Sequence, residues 1–216
     1  MELIKLNKNN LKEILFYTIE ILKKGGMIAY PTETFYGLGV KYDQEDSLKK
    51  LYEIKKRPSY KAMPLIIGSK NLLPLLTKGV NEHTIYLMEK YWPGPLTIIL
   101  PAKKILSDYI TSGTHKVAVR IPGESFALDL AQKANFPITA TSANPSRMKP
   151  AQDAHGVIKY FRDKLDLIID GGKTPGGLPS TIVEVTGDKI KILREGVIKK
   201  EQLLRLFSMR FQSQER

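Results

Sequence analysis

The sequence predicts an α/β protein, a mixed β-sheet flanked by helices, on three observations. From residue 96 onward, short apolar runs bounded by proline, glycine or polar residues alternate with segments of helical period, as strands interleaved with helices do. Near the C-terminus two further runs, 180–185 and 189–193, flank Thr186-Gly187-Asp188; this reads as an antiparallel hairpin and makes the sheet mixed. At 216 residues and 42% hydrophobic content, the chain can bury the core of one domain. That domain is expected over residues 1–209, with 210–216 a polar tail that frays.

Taken in order, Asn10 is placed to cap a helix carrying Leu11, Ile14, Leu15, Thr18 and Leu22 on one face, and Gly25-Gly26 stops it. A buried strand follows over 27–30 and runs into a polar loop, where Pro31 ends ladder donation and Gly37 and Gly39 allow unusual backbone angles or close approach. Asp46 is expected to cap a second helix with Leu48, Leu51 and Tyr52 inward, ending before Pro58. A short strand over 64–67 and helical segments over 72–76 and 82–91 precede the break at Trp92-Pro93-Gly94-Pro95. Strands then fall at 96–100, 116–121, 138–141 and 167–169, with helices at 126–134 and 157–161, and a last helix over 200–208. No repeat, low-complexity tract or linker requires a second domain.

Composition narrows the chemistry. With no cysteine, disulfides, thiolate catalysis and Cys-ligated zinc are excluded, and His83, His115 and His155 have no metal-ligand spacing, so no metal site is expected. No apolar run approaches the roughly 20 residues of a membrane span, so the expectation is a soluble, cytoplasmic protein with no membrane partner. The balance of 34 basic to 22 acidic residues, net +12, favours anionic partners such as nucleotides or RNA.

Several polar clusters end apolar strands. Pro31-Thr32-Glu33-Thr34-Phe35-Tyr36-Gly37-Leu38-Gly39 sets hydroxyls and a carboxylate at the end of the first buried run. Lys55-Lys56-Arg57-Pro58 lies where the second helix must stop; with Arg57 extended ahead of the proline, Lys55 and Arg57 can converge on one anion. The same residues could equally be an exposed basic helix end that complements the macrodipole. Arg120, leaving the apolar strand Val117-Ala118-Val119, needs a partner, either a structural acid or a bound carboxylate or phosphate. Thr139-Ala140-Thr141-Ser142-Ala143-Asn144-Pro145 ends another strand with hydroxyls and an amide, which by themselves could form an ordinary turn. Two look-alikes fall away: Gly171-Gly172-Lys173-Thr174 has Leu167 where a P-loop needs its first glycine and Pro175 where its helix must continue. Gly123-Glu124-Ser125-Phe126-Ala127 lacks the second glycine of a nucleophile elbow.

These clusters together resemble the TsaC/YrdC family of threonylcarbamoyl-AMP synthases. The resemblance rests on Pro-Thr-Glu-Thr-x-Tyr-Gly-Leu-Gly at 31–39, Lys-x-Arg at 55–57, Pro-Gly-Pro-x-Thr at 93–97, Arg-x-Pro at 120–122, Ser-x-Asn at 142–144, Ser-Thr-Ile at 180–182 and Arg-x-Gly at 194–196. It implies a twisted mixed sheet with a basic concave face. It also implies a reaction of L-threonine, bicarbonate or carbon dioxide, and ATP to give threonylcarbamoyl-AMP and pyrophosphate. By the same resemblance Thr34, Arg120, Ala140 and Ser180 hold L-threonine, and Lys55, Arg57, Ser142, Asn144 and Arg194 hold ATP, with Lys55 and Arg57 the catalytic cations. Magnesium (Mg2+) would accompany the triphosphate, and the product would pass to the machinery that transfers threonylcarbamoyl to tRNA. The chain resembles the short, single-domain members, and departs from some relatives at Gly68, where they carry histidine, and in a longer loop over 59–63. The rival reading is an RNA-binding or ribosome-maturation factor, with direct RNA or tRNA contact through the basic concavity. A hydrogenase-maturation carbamoyl-adenylate enzyme is a further rival, but those chains are much longer.

Overall fold

The computed structural model describes residues 1–212, with side chains described through residue 207. Strand β1 (Glu2–Lys5) is followed by helix α1 (Leu11–Lys23), β2 (Ile28–Pro31), β3 (Tyr36–Gly39), α2 (Glu45–Lys55), β4 (Leu65–Ile66), α3 (Leu73–Leu76) and α4 (Glu82–Tyr91). Then come β5 (Leu96–Pro101), α5 (Asp108–Thr111), β6 (Lys116–Arg120), α6 (Phe126–Ala134), β7 (Ile138–Thr139) and β8 (Thr141–Ser142). The chain closes with α7 (Ala154–Phe161), β9 (Leu167–Asp170), β10 (Thr181–Thr186), β11 (Lys189–Arg194) and α8 (Lys200–Gln212).

Among the described residues the strands form two mixed sheets rather than one. The five-stranded sheet runs β1-β9-β2-β3-β8, with β9 parallel to both β1 and β2, and β3 antiparallel to β2 and β8. The six-stranded sheet runs β11-β10-β5-β6-β4-β7, with parallel pairing only at β10–β5 and β4–β6. The expected strand over 138–141 is divided between them: Ile138–Thr139 pairs with β4, Thr141–Ser142 with β3, and Ala140 is the step from one sheet to the other. At that step the Ala140 N–H donates to Pro64 O at 2.9 Å, so the crossing residue is itself anchored.

Helix α1 buries Ile14, Leu15, Ile19 and Leu22, whose spacing puts them on one stripe, against Phe126, Ala127, Leu130 and Ala131 of α6 and against Ile28, Tyr30, Leu167 and Ile169 of the first sheet. A second, larger cluster fills the space around Leu48 and Leu51 of α2, Leu96 and Ile98 of β5, Val117 and Val119 of β6 and Val157 and Phe161 of α7. Gly68 belongs to the packing around α6 in the first cluster: a Cβ there would lie 2.4 Å from the Ala131 carbonyl carbon and oxygen, so α6 can approach only a glycine.

The structure corrects several local expectations. Asn10 occupies the position before α1 without capping it; its Oδ1 accepts from Asn7 N at 2.8 Å and its Nδ2 donates to Lys5 O at 2.9 Å, closing the turn after β1. The residue before α2 is Gln44, and Asp46 lies inside the first turn, where a carboxylate complements the macrodipole. Residues 36–39, expected as a glycine loop, are a strand. The glycines serve the packing of Tyr30, since a Cβ at Gly39 would come within 2.8 Å of its ring and one at Gly37 within 3.1 Å. No sequence expectation covered β1 or α5. Helix α8 continues to Gln212, past the expected end at 208; the rest of the expected tail, 213–216, lies outside the described residues.

Candidate functional site

A cleft of about 420 Å³ opens where the two sheets meet, a size suited to a small organic ligand. The turn between β2 and β3 forms one rim. Thr32 Oγ1 donates to Phe35 O at 2.7 Å and accepts from Thr34 N at 3.1 Å, so a buried hydroxyl closes the turn and sets Thr34 on the cleft wall. Beneath it the fully buried Tyr30 donates to Thr139 O at 2.9 Å, and burial raises its phenol pKa well above the usual value. Tyr36 donates to Gly172 O at 2.8 Å and accepts from Gly171 N at 3.0 Å, tying the segment after β9 to the hairpin; its pKa is pushed up to about 12, chiefly by burial.

The Lys-x-Arg segment divides its labour. Lys55, at the last turn of α2, is 2% exposed, and its Nζ donates to Ser142 O at 2.5 Å and to Asn144 O at 2.7 Å. It is not among the cleft-lining residues and staples α2 to the Ser-x-Asn loop, a staple doubled by Ser146 N donating to Lys55 O at 2.7 Å. The exposed helix end, one of the two sequence expectations, does not describe this buried side chain. Burial first, and the charge of Arg57 second, lower its pKa to about 7. Lys56 takes a left-handed conformation with φ 48°, which ends the helix and turns Arg57 toward the cleft. There Arg57 donates from Nε to Lys61 O at 3.0 Å and from Nη2 to Ala62 O at 2.6 Å, cross-bracing the loop over 58–63, while desolvation lowers its pKa.

Opposite lie two more arginines. Arg120 ends β6, is 8% exposed and forms an ion pair through Nη1 with Glu33 Oε1. Arg194 ends β11; its Nε and Nη2 donate to Ser180 O at 3.1 and 2.8 Å, and Nη2 reaches Ser180 Oγ at 3.1 Å. Although Arg194 is an exposed residue, its guanidinium sits where desolvation, and then the Arg120 charge, lower its pKa. Gly196 makes this fold-back feasible, because a Cβ would lie 2.0 Å from Pro179 O. Ser180 is held from the other side by Thr97, with 2.9 Å between the two hydroxyls.

Seven of the nine residues named from the sequence thus line one cleft: Thr34, Arg57, Arg120, Ala140, Ser142, Ser180 and Arg194. Lys55 and Asn144 stand behind it. Asn144 Nδ2 donates to Pro145 O and Met148 O, both at 2.8 Å, and so braces the loop. Sequence reasoning missed Tyr30, Thr97 and Pro150 on the lining. Thr97 had a signal, its place in the Pro-Gly-Pro-x-Thr segment; Tyr30 reads as core, and Pro150 carries no signal. Among the described residues no acid lines the cleft, and no group of three or more His, Asp or Glu is placed to hold a metal. The walls offer three guanidiniums and the hydroxyls of Thr32, Thr34, Thr97, Thr141, Ser142 and Ser180, with no nucleophile–base pair among the described lining residues, an arrangement that binds and neutralises anions.

Comparison with known proteins gives this cleft a context. Residues 20–196 match the Sua5/YciO/YrdC family model, which carries the description telomere recombination. Threonylcarbamoyl-AMP synthase of Pyrococcus abyssi is 37% identical over 182 residues, 84% of this chain and 54% of that protein. The Bacillus subtilis protein of the same name is 39% identical over 184 residues, 85% of this chain and 53% of its own. The chain spans about half the length of these two relatives. The crystal structure of P. abyssi Sua5 complexed with L-threonine superposes with a TM-score of 0.87 at 34% identity, covering 95% of this chain and 60% of that one.

Proposed function

This chain belongs to the Sua5/YciO/YrdC family, and from that premise we propose that it makes threonylcarbamoyl-AMP and pyrophosphate from L-threonine, bicarbonate or carbon dioxide, and ATP. The observation that carries the reading is the convergence of Arg57, Arg120 and Arg194 with Thr34, Ser142 and Ser180 on one cleft whose described lining pairs no nucleophile with a base. A reaction at the α-phosphorus needs such a site. The threonine ammonium and bicarbonate give a carbamate, water and a proton; a carbamate oxygen then bonds to the α-phosphorus as the bond to pyrophosphate breaks. The protein's part is to align the two anions and offset their charge.

In this reading Arg120 takes the threonine carboxylate, with Thr34, Ser180 and the backbone at Ala140 beside it. Arg57, Ser142 and Arg194 take the nucleotide. That the related P. abyssi protein has been crystallised with L-threonine supports the first assignment. Lys55 and Asn144 act behind the wall, holding the loop that carries Ser142. Magnesium enters only as the ion that travels with the triphosphate, since the described residues offer no acidic cluster for it, and no step is assigned to it. The product would supply a tRNA threonylcarbamoyl-transfer system. A concave cleft with cationic walls fits a nucleotide better than it fits the open stacking platform of an RNA-binding factor, and no helix among the described residues is long and apolar enough to cross a membrane. Pyrophosphate release, measured with threonine and bicarbonate omitted in turn, tests the reading: both omissions should abolish it. Release undiminished without threonine would refute it.

A further inference from the structure

We infer that Glu33 is a specificity residue of the amino-acid end of the cleft, pairing with Arg120 to recognise a zwitterion: Arg120 takes the α-carboxylate and Glu33 the α-ammonium. The inference rests on the function proposed above and assigns a residue that function leaves idle.

The argument begins with charge. Three guanidiniums reach the cleft and no lining residue among those described is acidic, so the walls repel an ammonium as strongly as they attract a carboxylate. The charges of Arg120 and Glu33 are both felt at Tyr30 on the cleft floor, and that of Arg120 at Arg194. A substrate that is both cation and anion over the span of one carbon needs an acid next to the arginine that holds its anionic end. Glu33 is that acid. It lies between Thr32 and Thr34, which both line the cleft, and its Oε1 is bonded to Arg120 Nη1. The pair leaves the guanidinium further N–H groups for a carboxylate.

The second observation is the other carboxylate oxygen. Glu33 Oε2 is buried and takes no hydrogen bond from the described residues, whereas buried carboxylate oxygens ordinarily have donors. An α-ammonium brings three donors of the right charge. The third is the seat of the side chain. A Cβ at Gly123 would lie 3.3 Å from Glu33 Cγ and 3.7 Å from Gly94 Cα, and Gly94 N donates to Ile121 O at 2.9 Å. The two glycines, from the Arg-Ile-Pro-Gly and Pro-Gly-Pro segments, thus form a tight backbone wall that confines the carboxylate beside Arg120.

The test is calorimetric titration of the whole chain with L-threonine and with the analogue in which a hydroxyl replaces the α-ammonium, in the wild type, Glu33→Gln and Glu33→Asp. The wild type should prefer threonine by about ten- to a hundred-fold, the size of one charge-assisted hydrogen bond in a shielded site. Glu33→Gln should lose that preference by weakening threonine alone, with affinity for a non-hydrolysable ATP analogue unchanged, and Glu33→Asp should restore part of it. Equal weakening of threonine and the hydroxy analogue in Glu33→Gln would reduce Glu33 to a structural counter-ion of Arg120 and overturn the inference. A wild type that binds the two compounds equally would overturn it without any variant, should the substitutions impair folding. A wild type that binds no threonine would instead bring down the proposed function, and this inference with it.

Discussion

Lys55 is a buried cation that donates to the carbonyls of Ser142 and Asn144, with the like charge of Arg57 nearby. Its lowered pKa has a defined consequence for stability. Between about pH 7 and the pKa of about 10.4 in the unfolded chain, the unfolded state binds a proton that the folded state has shed, so this residue's contribution to stability rises with pH across that window. Lys55→Met removes the titration and leaves carbonyls short of a donor, which should cost roughly 1–3 kcal/mol near neutrality. The gap to the wild type should widen toward pH 10. Denaturant titrations of both proteins at pH 7 and 9.5 check this, and a pH-independent gap would place Lys55 outside the titrating set. At the cleft itself Arg120→Ala should raise the threonine requirement about ten- to a hundred-fold with a smaller effect on ATP, and Arg194→Ala the reverse. Substrate-dependence curves of pyrophosphate release for the two variants decide the division; matching losses for both substrates would cancel it. Removal of Arg120 also strands Glu33, so its melting temperature must be measured alongside.

At the scale of elements, the glycines of the site are matters of packing between backbones. Gly68→Ala and Gly196→Ala would each drive a methyl group into main-chain atoms, within 2.4 Å of Ala131 and 2.0 Å of Pro179 respectively. Each should destabilise by about 1–3 kcal/mol or more, as overpacking does, while Gly79→Ala, in open space, should change stability by less than about 1 kcal/mol; thermal melts rank the three. Such contacts were not legible in the sequence, because what forces a glycine at 68 is a helix more than sixty residues downstream. The alternation of strands and helices and the C-terminal hairpin were legible, since side-chain period and turn residues are local. The division of 138–141 between two sheets was not. Nothing in Thr139-Ala140-Thr141 announces that consecutive residues pair with different partners, and the cleft exists because they do. Lys55 shows the same limit: residue type and spacing placed a cation at the site, and only the fold shows that its ammonium turns inward.

For the whole molecule, the cleft depends on two sheets meeting along one seam, spanned by Ala140 and stapled by Lys55, with arginines contributed by the end of α2 and by two strands of the larger sheet. That geometry places cations from distant parts of the chain around one small volume and, among the described residues, pairs no nucleophile with a base, and the proposed chemistry needs no such pair. The most direct test is the identity of the product. With L-threonine, carbon-labelled bicarbonate and ATP, mass spectrometry of the quenched reaction should find an adenylate that contains both threonine and one labelled carbon, together with pyrophosphate. An adenylate of threonine without the label, or ADP and phosphate in place of AMP-containing product and pyrophosphate, would contradict the account.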